Sequence, residues 1–166
     1  MSGPGAPSAA GLNAEGLRVA IVASSWHEAV MGGLIAGATA ACTRSGALSV
    51  LYRVPGSFEL PLAAQAAARA GFDSVVALGV VIRGGTPHFE YVCDAATSGL
   101  SRVALDSGIP IGFGLLTCDD EAQAIDRAGL PGSHEDKGRE AAEAALSLAL
   151  TLRTIRRPGA ARTAGS

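Results

Sequence analysis

The chain has 166 residues, of which 48% are hydrophobic and only 17% are charged, so the composition fits one domain with a sizeable core. The formal net charge is −2, and no basic stripe with interleaved aromatic residues occurs, which argues against nucleic-acid binding. The three cysteines, Cys42, Cys93 and Cys118, are widely spaced and predict neither a disulfide framework nor a metal site.

The two ends of the chain are predicted to be disordered tails, over residues 1–13 and 158–166. The first dozen residues lack the basic start and the apolar segment of a signal peptide. No apolar run approaches the length of a membrane span. We therefore expect a single domain over residues 14–157, no membrane association and a cytoplasmic location.

The first half of the domain alternates short apolar segments with helical ones. Strands are predicted over residues 17–23 and 47–54, with a helix over about 28–44 between them. A second helix is predicted over about 59–71. The continuous apolar run 74–82 is typical of a strand that is buried on both faces of a parallel sheet.

The segment 84–88, Gly-Gly-Thr-Pro-His, follows this strand. Thr86 is a good N-cap and Pro87 suits the first position of a helix that runs to about residue 107. The glycines leave no Cβ to keep a ligand from the backbone, and a helix amino end favours an anion, phosphate above all. His88 would lie within one turn of that anion and can transfer protons near neutral pH.

The last third of the chain predicts a fourth strand over residues 109–116 and two further helices. Thr117 with Asp120, and Ser133 with Asp136, match the Ser/Thr-x-x-Asp/Glu pattern of a helix start. The first of these helices is predicted to end at residue 129 and the second at about residue 157.

Strands that alternate with helices predict an α/β fold, with a four-stranded parallel sheet between two layers of helices. Ligands of such sheets bind beyond the carboxyl ends of the strands. Each predicted strand leads into a segment with chemical groups, and we expect these segments to converge on one edge. They are residues 26–27, 55–59, 83–88 and 113–117.

Several side chains in these segments have both a structural and a functional interpretation. Trp26 and Phe113 are either packing aromatics or flat platforms for a heteroaromatic ring. Glu59 either complements its helix dipole or accepts hydrogen bonds from ligand hydroxyls. Arg127 is either solvated or a bidentate partner of phosphate. Lys137 lies in the first turn of the last helix, where the dipole disfavours a cation.

Other motifs are incomplete. His88-Phe89-Glu90 matches one half of a zinc deaminase signature, but the Pro-Cys-x-x-Cys half is absent. The chain has neither the Gly-x-Gly-x-x-Gly of dinucleotide sites nor the Gly-x-Ser-x-Gly of a nucleophilic serine. We therefore expect neither a metal nor an organic cofactor.

Three segments together resemble the 6,7-dimethyl-8-ribityllumazine synthase family, and the resemblance extends over about residues 17–152. They are VPGSFELP at 54–61, GVVIRGGTPHFEYV at 79–92 and LTCDDEAQAIDRAG at 116–129. The segment Ala-Ser-Ser-Trp-His at 23–27 is similar to actinobacterial members. The resemblance implies a flavodoxin-like α/β/α sandwich and a transferase of riboflavin biosynthesis. Its reaction condenses 5-amino-6-(D-ribitylamino)uracil with 3,4-dihydroxy-2-butanone 4-phosphate and releases phosphate and water.

The resemblance also implies a role for each matching position. His88 matches the proton-transfer residue, and Lys137 matches a basic residue near the substrate. The phosphate site is implied to comprise Gly85, Thr86 and Arg127. The pyrimidine and ribityl site is implied to comprise Trp26, Ser57, Phe58, Glu59, Val80, Val81, Ile82 and, from a neighbouring subunit, Phe113.

Members of this family assemble as pentamers, and some stack pentamers into icosahedral shells. Residues 130–136 look longer than the short turn of the shell formers, so we expect a homopentamer with active sites between subunits. Small-molecule substrates are the other expected partners. The alternatives are a non-catalytic lumazine or flavin binder and an archaeal-type riboflavin synthase. Retention of both His88 and Arg127 argues against a pure binder.

Overall fold

The computed structural model describes residues 11–157 of the chain. The predicted tails lie outside this part except for residues 11–13, of which Leu12 packs against the core. Within the described part, the strands are β1 (Arg18–Ser24), β2 (Leu48–Val54), β3 (Ser74–Ile82) and β4 (Ile111–Cys118). The α-helices are α1 (Glu28–Arg44), α2 (Leu60–Arg69), α3 (His88–Ser107), α4 (Glu121–Asp126) and α5 (Lys137–Arg156), and a short 3-10 helix (Ser57–Glu59) precedes α2.

The four strands form one parallel sheet in the order β2-β1-β3-β4. The first seven residues of β3 are buried, as expected of a central strand covered on both faces. The α/β prediction, with a parallel sheet between two helix layers, is therefore confirmed.

Side chains of alternate strand residues build two separate cores, because successive residues of a strand face opposite sides of the sheet. Ile21 and Leu78 pack with α1 and α5 on one face. Val22 and Ala77 pack with α2 and α3 on the other. The sheet is thus the middle layer of an α/β/α sandwich.

The helix starts differ from the prediction by a few residues. Asp120 and Asp136 are themselves the N-caps of α4 and α5, and each accepts a hydrogen bond from a backbone N–H three residues later. The prediction that Thr117 and Ser133 begin these helices is therefore wrong. Aspartate is as good an N-cap as serine, so the four-residue pattern alone does not decide which of its two ends caps the helix.

The start of α3 also lies later than predicted. The helix begins at His88, Pro87 is its flanking residue, and no side chain caps its amino end. The N-cap role predicted for Thr86 is therefore wrong, and its side chain is exposed.

The predicted segment 113–117 lies inside β4, which ends at Cys118 rather than at the predicted residue 116. The glycines on either side of Phe113 mark places where other groups approach the backbone. A Cβ at Gly112 would lie 2.2 Å from the Ala141 carbonyl oxygen of α5, and one at Gly114 would lie 2.5 Å from Leu78.

Candidate active site

The chemistry-bearing loops after β1, β2 and β3, together with the start of α4, lie at the carboxyl end of the sheet. The chain passes from β1 to β2 on one side and then to β3 on the other, so the strand order reverses between β1 and β3. Parallel α/β sheets bind ligands in the crevice at such a reversal. Trp26 follows β1 and Arg83 follows β3, so both flank this crevice.

Trp26 is 68% exposed, so its indole is not part of the core of its own chain. It lies beside the loop after β2, where a Cβ at Gly56 would lie 3.7 Å from the indole Cδ1. The hydroxyl of Ser25 donates a hydrogen bond to the Val54 carbonyl at 2.8 Å and ties the two strand ends together. His27 has a φ of 57°, a left-handed conformation that non-glycine residues seldom adopt. The chain therefore turns sharply after Trp26 and leaves the indole at the surface.

The segment after β2 contacts the end of β3. The buried Ser57 hydroxyl donates to the carbonyl of Val80 at 3.4 Å. The Oε2 atom of Glu59 accepts a hydrogen bond from the Gly56 N–H at 2.9 Å, and this bond closes the turn. The other carboxylate oxygen of Glu59 takes no part in that bond. Phe58, between them, is 62% exposed. The structure thus brings the predicted residues of this segment to the side of the crevice.

The loop after β3 is open to solvent. Val81 and Ile82 are half-buried, whereas Gly85, Thr86 and His88 are exposed. A Cβ at Gly85 would meet no heavy atom within 4 Å. An anion can therefore reach the backbone of this loop and the uncapped amino end of α3 without displacing a side chain.

Arg127 lies at the carboxyl end of α4, where its Nη1 donates to the Gln123 carbonyl at 2.9 Å. Burial raises the pKa of the Cys118 thiol, and the nearby Arg127 charge opposes that rise. Cys118 is the last residue of β4 and pairs with Ile82 in the sheet. The Arg127 guanidinium is therefore close enough for its charge to act at the ends of β3 and β4, which border the loop after β3.

Lys137 begins α5, and its ammonium forms ion pairs with Glu135 at 2.5 Å and with Glu140 at 2.7 Å. Burial lowers the pKa of this lysine, but the hydrogen bonds to the two glutamates outweigh burial and raise it. The two carboxylates also explain how a cation is tolerated in the first turn of a helix.

Phe113 is a predicted site residue that its own chain holds away from the crevice. It is the third residue of β4 and precedes Cys118 by five residues, about 16 Å of extended strand. Its ring is 48% exposed on an edge strand.

Arg83 has no predicted role, although it lies within the segment 79–92 that resembles the family. The structure places its guanidinium between the carboxylates of Glu90 and Asp119. Its signal in the sequence is an arginine directly after a buried apolar strand, with acidic residues at the starts of the next two helices.

Another concavity, of about 250 Å³, lies at the opposite end of the sheet. Two arginines border it, but Arg153 pairs with Asp73 at 3.0 Å and Arg156 donates to the Gly108 carbonyl at 2.8 Å. Both guanidinium groups thus have partners within the protein, so the carboxyl end remains the better candidate.

None of the helices in residues 11–157 combines the length and the apolar character that a membrane crossing requires. Nor do three side chains of His, Cys, Asp or Glu lie together in that part as a metal ion would require.

Comparisons with known proteins identify the family of this chain. The model of the 6,7-dimethyl-8-ribityllumazine synthase family matches residues 16–153. A protein of that name from Leifsonia xyli subsp. xyli is 64% identical over 94% of this chain and 99% of its own length. Those from Clavibacter michiganensis subsp. michiganensis and Kocuria rhizophila are 62% and 63% identical, over 94% and 92% of this chain and 99% of their own lengths. The chain belongs to the 6,7-dimethyl-8-ribityllumazine synthase family.

Proposed function

We propose that this chain condenses 5-amino-6-(D-ribitylamino)uracil with 3,4-dihydroxy-2-butanone 4-phosphate to give 6,7-dimethyl-8-ribityllumazine. One phosphate and two waters leave, and the product is a precursor of riboflavin. Membership of the family, over nearly the whole described chain, is the observation that carries this proposal. The open loop after β3 supports it, since it offers backbone groups to an anion beside an imidazole.

The proposed pyrimidine site lies over the ends of β1 and β3. The exposed indole of Trp26 stacks on the heteroaromatic ring, an interaction worth about 0.5–1.5 kcal/mol. The ring edge takes hydrogen bonds from the backbone at the end of β3, and the Glu59 carboxylate accepts hydrogen bonds from ribityl hydroxyls. The residues proposed for this site are Trp26, Ser57, Phe58, Glu59, Val80, Val81 and Ile82, with Phe113 of a neighbouring copy.

The proposed phosphate site lies at the amino end of α3. Gly85 and Thr86 present backbone N–H groups, and Arg127 supplies a planar guanidinium that suits a phosphate dianion. Lys137 lies near this site as a further basic group whose carboxylate partners hold it in place. Fixed positive charge here stabilises the phosphate as it leaves.

The proposed reaction proceeds without a cofactor. The 5-amino group of the pyrimidine adds to the ketone, and loss of water gives an imine. A proton leaves the carbon next to the imine as the C–O bond to phosphate breaks, which leaves an enol. The enol takes up a proton at its terminal carbon and becomes a methyl ketone. The ribitylamino nitrogen then attacks this new carbonyl and closes the ring, and a second water is lost. His88 transfers protons in these steps, a contribution typically of about 10²–10⁴ in rate.

Orientation of the two substrates accounts for much of the expected rate enhancement. Two reactants held in a reactive geometry gain up to about 7–11 kcal/mol from proximity. The proposed pyrimidine site over the ends of β1 and β3 and the proposed phosphate site at the amino end of α3 would each bind one substrate. The protein thus needs only a proton carrier and a fixed cation in addition to this geometry.

The test is to mix the purified protein with both substrates and to follow lumazine absorbance and phosphate release. We expect both signals in equal amounts. A protein that binds lumazine but forms none would be a carrier, and one that makes riboflavin from lumazine alone would be a riboflavin synthase. Either result would contradict the proposal.

We further propose that residues 14–157 form a single domain that acts in the cytoplasm as a homopentamer with active sites between subunits. The free thiols of Cys42, Cys93 and Cys118 suit a reducing compartment.

Large apolar side chains are exposed along the edge strand β2, as expected where another copy covers them. They are Leu48, Val50, Leu51 and Tyr52. Sedimentation should give about five times the 16.5 kDa of one chain, and a particle near a megadalton would contradict this.

A further inference from the structure

Arg83 is the first residue after β3, and its contacts join three elements of the candidate active site. Its Nε donates a hydrogen bond to Oδ1 of Asp119 at 2.9 Å, and its Nη1 forms an ion pair with Glu90. Its guanidinium carbon lies 4.2 Å from the centre of the Phe89 ring. Its backbone N–H donates to the Cys118 carbonyl at 2.9 Å. Arg83, Glu90 and Asp119 are referred to below as the arginine clamp.

The first part of the clamp brackets the loop after β3. Arg83 begins this loop, and Glu90 lies in the first turn of the helix that follows it. A Cβ at Gly84 or Gly85 would meet no heavy atom within 4 Å, so side-chain packing does not hold the loop between them. The ion pair between Arg83 and Glu90 therefore restrains a loop whose glycines are free of packing contacts.

The second part of the clamp leads to Arg127. The backbone N–H of Asp119 donates to the Gln123 side chain at 3.0 Å. The carbonyl of Gln123 in turn accepts a hydrogen bond from the Arg127 guanidinium at 2.9 Å. A continuous series of contacts thus connects Arg83 with the cation of the proposed phosphate site.

The clamp adds little to the stability of the fold. The side chains of Arg83, Glu90 and Asp119 are 45%, 55% and 66% exposed, and ion pairs at such exposure contribute little to folding. The hydrogen bond from Arg83 holds the pKa of Glu90 below its ordinary value, so this carboxyl stays ionised at neutral pH. A charged but weakly stabilising cluster beside a binding loop is better explained by positioning than by stability.

We propose that Arg83 is a positioning residue for the phosphate-bearing substrate. Through Glu90 and Asp119, Arg83 holds the loop after β3 in a fixed position relative to Arg127. This inference rests on the proposed function, in which that loop and Arg127 share one phosphate. Positioning matters there because a displacement of about 1 Å can cost about 10²-fold in rate.

If Arg83 instead contacted the phosphate directly, the variants that neutralise Glu90 or Asp119 would change phosphate binding in the opposite direction. Removal of a negative charge beside a dianion strengthens its binding by Coulomb attraction, and it also frees Arg83 to contact the anion. A direct role therefore predicts tighter phosphate binding in Glu90→Gln and Asp119→Asn. The positioning role predicts weaker binding in both, because the loop or the start of α4 loses its anchor.

The experiment compares the full chain with Arg83→Ala, Arg83→Lys, Glu90→Gln and Asp119→Asn at fixed ionic strength. In Arg83→Ala we expect the KM for 3,4-dihydroxy-2-butanone 4-phosphate and the calorimetric Kd for inorganic phosphate to rise about tenfold or more. The two carboxylate variants should show a smaller rise in both, while the KM for the pyrimidine stays unchanged. Arg83→Lys should recover only part of the loss, because an ammonium cannot hold two carboxylates as a planar fork does.

Arg102→Ala is the matched control, since Arg102 pairs with Asp106 on the exposed surface of α3, the helix that contains Glu90. It should leave both phosphate constants unchanged. Equal or tighter phosphate binding in both carboxylate variants overturns the inference, and so does an equal rise of both KM values in Arg83→Ala. If Arg83→Ala does not fold, the carboxylate variants decide the question.

Failure of the proposed function gives a different result. A wild-type chain that makes no lumazine contradicts the proposed function, but the titrations with inorganic phosphate still test the clamp. Weaker phosphate binding in the carboxylate variants would then support the positioning role. A wild-type chain that does not bind inorganic phosphate at all would overturn it.

Discussion

The imidazole of His88 lies on the exposed first turn of α3, where no core contact depends on it. Replacement of His88 by alanine should therefore leave the thermal midpoint unchanged. If the imidazole transfers protons, kcat should fall by about 10²-fold or more. Steady-state kinetics and circular dichroism measure the two quantities. A kcat that matches the wild type across about pH 6–8 would remove His88 from the mechanism.

Arg127 acts, in the proposed site, on one substrate only. Arg127→Ala should raise the KM for 3,4-dihydroxy-2-butanone 4-phosphate by about tenfold or more, because a charge-assisted hydrogen bond contributes roughly twice as much as a neutral one. Arg127→Lys should retain part of the affinity, since an ammonium keeps the charge but not the fork. Kinetics with each substrate varied in turn measure the effect. A rise confined to the KM for the pyrimidine would show that the phosphate assignment is wrong.

At the scale of the elements, the strands could be predicted closely and the helix starts less well. The run Ser74–Ile82 is apolar after its first residue, which is typical of a strand buried on both faces, and its bounds are those of β3. A cap depends on one hydrogen bond, and the sequence offers two capping residues three positions apart, such as Ser133 and Asp136. Which of them binds the free N–H groups is decided by tertiary contacts, such as the bridge between Ala128 and Asp136.

Close packing of α1 against the segment after α4 depends on Gly33. A Cβ there would lie 2.2 Å from the backbone oxygen of Ala128, which cannot move aside as a flexible side chain would. Gly33→Ala should therefore lower the free energy of unfolding by about 1–3 kcal/mol. Gly32→Ala is the matched variant, because a Cβ at this exposed position meets nothing within 4 Å. It should raise stability by about 0.5–1 kcal/mol through helix propensity.

Thermal midpoints of both variants, at equal protein concentration, test this pair. Opposite shifts are expected. Two shifts of the same sign would mean that the approach of Ala128 to α1 is not as close as described.

The junction between α4 and α5 contains an ion pair of Asp126 with His134. The hydrogen bond to Asp126 raises the pKa of His134 above 6.5, and the same contact lowers that of Asp126 below 3.8. The histidine contribution is complete below pH 6.5 and disappears as the pH rises through the raised pKa. The aspartate contribution is present above pH 3.8 and disappears as the pH falls through the lowered pKa.

His134→Ala should therefore destabilise the protein most between these limits. The difference in thermal midpoint from the wild type is expected to be larger at about pH 5.5 than at about pH 9. Thermal unfolding at the two pH values measures it. A difference that does not change with pH would show that the charge of this pair contributes nothing to stability.

At the scale of the whole molecule, the strand pattern could predict which loops approach the crevice. It could not predict that Phe113 lies too far back along β4 to reach the crevice of its own chain. Parallel strands bring Trp26, Ser57 and the loop after β3 together, because the carboxyl ends of parallel strands meet at one edge. Phe113 lies about 16 Å back along β4, since β4 continues to Cys118. Its ring is therefore poorly placed for a ligand of its own crevice, and in the proposed site it comes from a neighbouring copy.

Mixed assemblies test this division of the site between copies. His88→Ala and Phe113→Ala should each have strongly reduced activity alone, and co-expression in equal amounts should restore part of it. A site with His88 from one copy and Phe113 from the next is intact in about a quarter of random combinations, so about a quarter of wild-type activity is expected. If each copy held its complete site, no combination would contain both residues in one site, and the mixed assemblies would stay as inactive as their parents.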